Sequence, residues 1–235
     1  METEYVYKAT RDSITTLQIL GKTNESRKDV FDPNFAKFRC SKALVIDIED
    51  FWTKEKKNLT RSIHKNNFIY EIGKEVVPDM YYEHLNVVCA SGIHYFKTKE
   101  AAEAYFLEYS NRIQDGLQRR YYNSGRLLKE FTMKGQYLDG LFRVWYENGV
   151  PKEEYTYIDC IKNGLYRKWH ENGQLKEEYT FKNDKIEGLY SEWYENGQLR
   201  KEYTIINHIK NGLYRKWHEN GQLKEEYTFK NDKIE

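Results

Sequence analysis

The 235 residues carry 38 basic and 37 acidic side chains, so no net field draws the chain to nucleic acid or to an anionic membrane surface. With 21 Tyr, 11 Phe and 5 Trp it is too aromatic for a disordered chain, and its 3 cysteines, Cys40, Cys89 and Cys160, are too scattered for a disulfide framework. No charged leader with an apolar core opens the sequence, and no apolar run approaches the ~18 residues of a membrane helix, which leads to the expectation of a cytoplasmic protein in a reducing compartment.

Residues 1–115 read as a compact α+β domain. Tyr5–Leu20 and Ala43–Ile48 predict strands, the second short and apolar enough for a sheet centre. Phe68–Val77, before Pro78, and Asn86–Phe96 predict two more. Thr98 caps a predicted helix over 99–109, with Ala101, Ala102, Tyr105 and Phe106 on one stripe. Lys54–Lys65 is basic and polar and reads as a solvated loop.

Cys89 and His94 raise the question of thiol chemistry. A nucleophile needs a base within hydrogen-bond reach, and residues five apart on a regular strand point to opposite faces. Cys89 is therefore read as a buried structural cysteine and His94 as a satisfied polar group at the strand end. An enzyme centred on this pair is kept as an alternative. Cys40, His64, His84, Cys89 and His94 show no paired ligand spacing, so no metal or other cofactor is expected. The stretch VVCASGIHYFKTKEAAEAYF at 87–106 resembles an N-terminal domain of uncharacterised proteins from large DNA viruses that infect amoebae. The resemblance rests on Cys89, Gly92, Ile93, His94 and Phe96 before a helix. It implies a viral protein, working in the host cytoplasm or in the virion.

The second half repeats itself. Residues 162–187 and 210–235 are identical, displaced by two units of 24. Gly116, Gly140, Gly164, Gly188 and Gly212 mark the phase, which divides 116–235 into units 116–139, 140–163, 164–187, 188–211 and 212–235. Five residues after each glycine stands Tyr121, Trp145, Trp169, Trp193 or Trp217, and a second glycine follows at 125, 149, 173, 197 and 221. Aromatic and β-branched content, with glycines too frequent for a helix, makes each unit two strands. The whole predicts an all-β, single-layer antiparallel meander of ~10 strands.

Side-chain pairing selects the turn. A two-residue loop at Asn172-Gly173 sets Leu165 opposite Thr180 and splits the apolar residues between the faces. A three-residue loop, Glu171-Asn172-Gly173, sets Trp169 against Leu175, Arg167 against Glu177 and Leu165 against Tyr179, with a left-handed glycine closing the turn. In the second unit it gives Trp145–Pro151, Arg143–Glu153 and Leu141–Tyr155. The expected apolar face carries Leu165, Trp169, Leu175 and Tyr179, and the expected polar face Tyr166, Lys168, His170, Lys176, Glu178 and Thr180. His170 and His218 alternate with Tyr146 and Tyr194, which reads as surface drift.

The pattern Gly-Leu-Tyr-x-x-Trp-x-Glu-Asn-Gly-Gln-Leu-x-x-Glu-Tyr-Thr resembles the MORN repeat variant. That resemblance implies an elongated array of β-hairpins serving as an interaction or dimerisation platform. The leading expectation is a non-enzymatic interaction or scaffold protein, with Tyr121, Trp145, Trp169, Trp193, Trp217, Leu165, Leu175 and Tyr179 as its surface. It would take a protein partner, or a second copy, on the apolar face or the open C-terminal edge. A self-assembling structural component is the alternative. Interleaved Lys and Glu give neither a positive groove for single-stranded nucleic acid nor a patch for anionic lipid.

Overall fold

A computed structural model of the chain describes residues 4–110 and 114–235. It forms two compact units. One comprises the residues up to 113 together with Arg120–Leu127, the other Gln114–Arg119 with Leu128–Glu235.

In the first unit Tyr5–Ala9, Ser13–Ile19, Ala43–Asp50 and Glu75–Val76 form an antiparallel sheet in that order. The strand predicted over Tyr5–Leu20 is a hairpin. Thr10 breaks it, donating to the Ser13 carbonyl from both its amide (2.9 Å) and its hydroxyl (2.8 Å). Phe68–Val77 likewise divides into Ile69–Glu71 and Glu75–Val76 around Gly73. The predicted loop Lys54–Lys65 contains a short strand, Leu59–Arg61, paired with Ile69–Glu71.

The largest departure is Asn86–Phe96, where only Ile93–Tyr95 is a strand, paired with Phe38–Cys40. A buried guanidinium organises the segment before it. Arg39 donates to the Tyr82 carbonyl (2.8 Å) and the His84 carbonyl (2.5 Å), so those acceptors are met by a side chain and need no ladder. The helix Lys99–Tyr109 forms as expected, with Thr98 Oγ1 accepting from the Ala101 amide at 3.3 Å.

Val6, Leu17, Phe38, Cys40, Val45 and Tyr95 make one buried cluster of this unit, and Phe51, Phe96, Ala102 and Phe106 anchor a second. Arg120–Leu127 packs here through backbone bonds. The Ser124 carbonyl accepts from the Phe31 amide (2.8 Å), and the Asn123 carbonyl from the Lys37 amide (3.2 Å).

The second unit contains an antiparallel meander of 12 strands in a single sheet. Two-residue turns with both residues left-handed, Asp159-Cys160, Asn183-Asp184 and Asn207-His208, join neighbouring hairpins, and a fourth, Asn231-Asp232, leads into Lys233–Ile234. These are type I′ connections, whose twist matches that of the strands. Within each hairpin the turn is the expected three-residue loop. The Gly173 amide donates to the His170 carbonyl at 3.0 Å, and the His170 amide to the Gln174 carbonyl at 2.8 Å. Gly173 sits at φ +90.

The register beyond the first pair corrects the expectation. Trp169 does pair with Leu175, but Lys176 is then extruded as a bulge. Lys168 faces Glu177, Arg167 faces Glu178, Tyr166 faces Tyr179 and Leu165 faces Thr180. The second unit does the same: Trp145–Pro151 holds, whereas Arg143 meets Glu154 and Leu141 meets Thr156. The loop adds one residue and the bulge takes it back. Because side chains alternate, a single such step exchanges the faces.

Candidate interaction surface

One face of the repeat sheet is a continuous ladder of rings. Phe131, Phe142, Tyr155, Tyr166, Tyr179, Tyr190, Tyr203, Tyr214 and Tyr227 follow one another at centroid distances of 5.9, 5.0, 5.7, 4.5, 5.3, 4.8, 5.8 and 4.6 Å. Phe181 and Phe229 stand edge-on to it. Lys162 and Lys210 lie over the rings of Phe181 and Phe229, at 5.1 and 5.3 Å. Each stacked pair contributes ~0.5–1.5 kcal/mol beyond its buried area. Tyr166, Tyr190 and Tyr214 are 7–8% exposed, although the sheet is a single layer. Burial also raises the phenol pKa of Tyr166 and Tyr190, and that of Tyr179 to about 12. This face is closed by its own side chains.

The opposite face is open. Leu141, Leu165, Leu189 and Leu213 are 38–53% exposed, and strand alternation places the tryptophan of each unit on their side. Between the leucine and tryptophan rows runs a row of ion pairs, Arg119–Glu130 at 2.9 Å, Arg143–Glu154 at 2.7 Å, Arg167–Glu178 at 2.8 Å and Arg215–Glu226 at 2.8 Å. Ser191 takes the arginine's place in the fourth unit. A cavity of about 280 Å³ lies against Trp145, Trp169, Pro151 and the Arg143–Glu154 pair.

The tryptophan positions are fixed from the neighbouring unit. The Trp169 carbonyl accepts from the Tyr146 hydroxyl (2.9 Å), the Trp193 carbonyl from His170 Nε2 (3.0 Å) and the Trp217 carbonyl from the Tyr194 hydroxyl (2.9 Å). The Tyr/His alternation that reads as drift is thus one donor position, filled by either of two side chains that reach a carbonyl. Asn148, Asn172 and Asn196 repeat the link one turn outward, each donating to a glutamate carbonyl of the next unit.

Of the eight expected surface residues, Trp145, Trp169, Trp193, Trp217, Leu165 and Leu175 share the open face. Tyr179 lies in the ladder on the other side. Tyr121 belongs to the first unit, stacked on Phe35 at 4.2 Å. The ring row that sequence reasoning left on the polar face, Tyr166 with Phe142, Tyr190 and Tyr214, is marked in the sequence. An aromatic recurs two residues after each of those unit glycines.

Cys89 is exposed rather than buried, in the loop that replaces the expected strand; the buried thiol is Cys40. His94 Nε2 hydrogen-bonds the Val88 carbonyl at 2.9 Å. Burial, with the charges of Lys37 and Lys8, pushes its pKa down to about 3. Among the described residues no group of three or more His, Cys, Asp or Glu could hold a metal ion, and no helix is long and apolar enough to cross a membrane.

Five stretches, 114–134, 138–159, 162–183, 186–207 and 210–231, match the family model described as MORN repeat variant. Residues 3–102 match a model described as a family of unknown function, DUF5758. No curated protein matches the chain.

Proposed function

We propose that this chain, five MORN repeat variants behind a DUF5758 domain, is a non-enzymatic interaction protein that docks a protein partner on the Leu–Trp face of its repeat sheet. MORN repeats commonly mediate protein or membrane interactions. The observation that carries the choice of face is the inequality of the two sides. The tyrosine side is filled ring against ring, while the other leaves Leu165 at 42% and Leu189 at 53% exposure beside half-buried tryptophans. Two apolar rows with a line of balanced ion pairs between them offer both the apolar area and the polar contacts of a protein interface, and tryptophan is among the commonest anchors in one. The balanced Arg/Glu row supports a protein ligand over nucleic acid, which would require a positive groove. We place the protein in the cytoplasm; the viral resemblance of 87–106 supports a host cell or a virion as the setting.

The test is light scattering and lysate capture with the full chain and with the double variant Leu165→Glu/Leu189→Glu. Both sites are surface leucines, so the circular dichroism spectrum should be unchanged. Loss of a partner, or of a dimer, in the variant supports the reading. A partner retained at full strength by the folded variant overturns this face as the docking surface.

A further inference from the structure

The first unit carries a half-open cavity of about 570 Å³, lined by none of the repeat residues. Part of its wall is aromatic, with Phe68, Tyr70, Phe96 and Tyr105, and part is basic, with Lys8, Lys37, His64, Lys65 and His94. Lys65 is answered by Asp79. Among the described residues Lys8 and Lys37 make no ion pair with a carboxylate. Lys8 Nζ donates to the His94 carbonyl at 2.9 Å. Lys37 Nζ donates to the Tyr105 hydroxyl at 3.1 Å, which meets His64 Nε2 at 3.2 Å. Lys37 is only 8% exposed. Cys89, which also lines the cavity, and then Glu108 act on it through the Coulomb field without forming an ion pair.

Buried charges are ordinarily paired or bound to a counter-charge, because removing an ion from water costs several kcal/mol or more. Two lysines on one cavity wall, met only by a carbonyl, a phenol and ring faces, are not a device for stability; apolar side chains of similar length would pack there at lower cost. The electrostatics agree with the geometry. Burial, and then the field of Lys37, lower the Lys8 pKa to about 8, and burial lowers that of Lys37. Burial followed by both lysines lowers that of His64. Asp79 on the cavity wall is taken by Lys65, so Lys8 and Lys37 leave a positive potential on the wall with no carboxylate paired to it among the described residues.

We propose that this cavity binds a small organic anion, whose phosphate or carboxylate is held by the Lys8 and Lys37 ammonium groups and whose aromatic or apolar body packs against Phe68, Tyr70 and Phe96. It is a site independent of the repeat surface.

Phenyl phosphate and benzoate would be titrated into the full chain by calorimetry at constant ionic strength, with phenol and sodium chloride as controls. Saturable binding of at least one aromatic anion is expected, with none of phenol. Lys37→Met and Lys8→Met should each weaken it by about tenfold or more, the scale of one charge-assisted hydrogen bond. Their melting points without ligand should hold or rise. Failure of both anions to saturate the wild-type protein overturns the proposal, as does wild-type binding by both variants. Should neither variant fold, reductive methylation of the wild type decides. Lys8 and Lys37 protected by phenyl phosphate support the site, and unchanged labelling refutes it.

Discussion

Replacing Tyr166 and Leu165 by alanine, one at a time, sets the two registers against each other. The residues are neighbours on one strand, and the bulge at Lys176 decides which of them faces the ladder. Tyr166 is 7% exposed and touches Tyr155 at 5.7 Å, Tyr179 at 4.5 Å and Phe181 at 5.8 Å. Truncating a buried aromatic to alanine costs ~3–5 kcal/mol. The single-layer sheet offers no second sheet to lose contact with, so the low end, about 3 kcal/mol, is expected. Leu165 is 42% exposed, opposite Thr180, and its truncation should cost about 1 kcal/mol or less. The assay is urea unfolding followed by tryptophan fluorescence, since Trp145, Trp169, Trp193 and Trp217 all report on the repeat unit. A Leu165→Ala cost equal to or above that of Tyr166→Ala would refute the bulged register and the division of faces built on it.

At the turn Asp159-Cys160, the Leu138 amide donates to Cys160 Sγ at 3.1 Å, where the Asp184 and Asp232 carboxylates accept from the Lys162 and Lys210 backbone amides at 2.8 and 2.7 Å. Cys160→Asp should therefore raise stability by ~0.5–1 kcal/mol, read as a shift in the urea midpoint, since aspartate also tolerates the left-handed conformation. Gly125 and Gly173 are both left-handed, but a Cβ on Gly125 would lie 2.1 Å from the Asp32 carbonyl oxygen, while one on Gly173 meets only Val150 at 3.8 Å. Gly173→Ala should lose ~1–2 kcal/mol of backbone strain energy alone and Gly125→Ala clearly more; equal melting points would contradict this. His94 has its folded pKa lowered from 6.5 to about 3, so below pH 6.5 the unfolded chain binds a proton that the folded one refuses. The first unit should lose stability as pH falls from 6.5 towards 3, and His94→Gln should flatten that slope in acid melts. The ladder phenols have raised pKa values, so the repeat unit should weaken as pH rises above 10, with Tyr166 and Tyr190 ionising only on unfolding. Phenolate absorbance rising before the loss of circular dichroism at every tyrosine would argue against a packed ladder.

Much of the fold is legible in the residues. A period of 24 with two glycines per unit leaves room only for paired strands, and the Glu-Asn-Gly loop is fixed by its left-handed glycine. Thr98 announces its helix because a side-chain acceptor three residues before an unmet amide is a local event. Of the strand Asn86–Phe96 only Ile93–Tyr95 finds a ladder partner, Phe38–Cys40, more than fifty positions away, while the Val88 carbonyl is met by His94 Nε2 and the Ser91 carbonyl by the Tyr82 amide. Tyr121 has the spacing of the tryptophans, yet its ring is taken by Phe35, a partner outside the repeat.

The composition of the surface was therefore written in the sequence, and its division into two faces was not. Turn type, unit length and the rows of Leu, Trp, Tyr and Arg/Glu all follow from local chemistry. Which rows share a face turned on one extruded basic residue in each of four hairpins, Lys152, Lys176, Arg200 and Lys224, whose cost is offset across strands by stacked rings and Arg–Glu pairs that exist only once the sheet has assembled. Alternation along a strand makes that single residue decisive: the tyrosines close one side upon themselves, and the leucines and tryptophans are left facing outward.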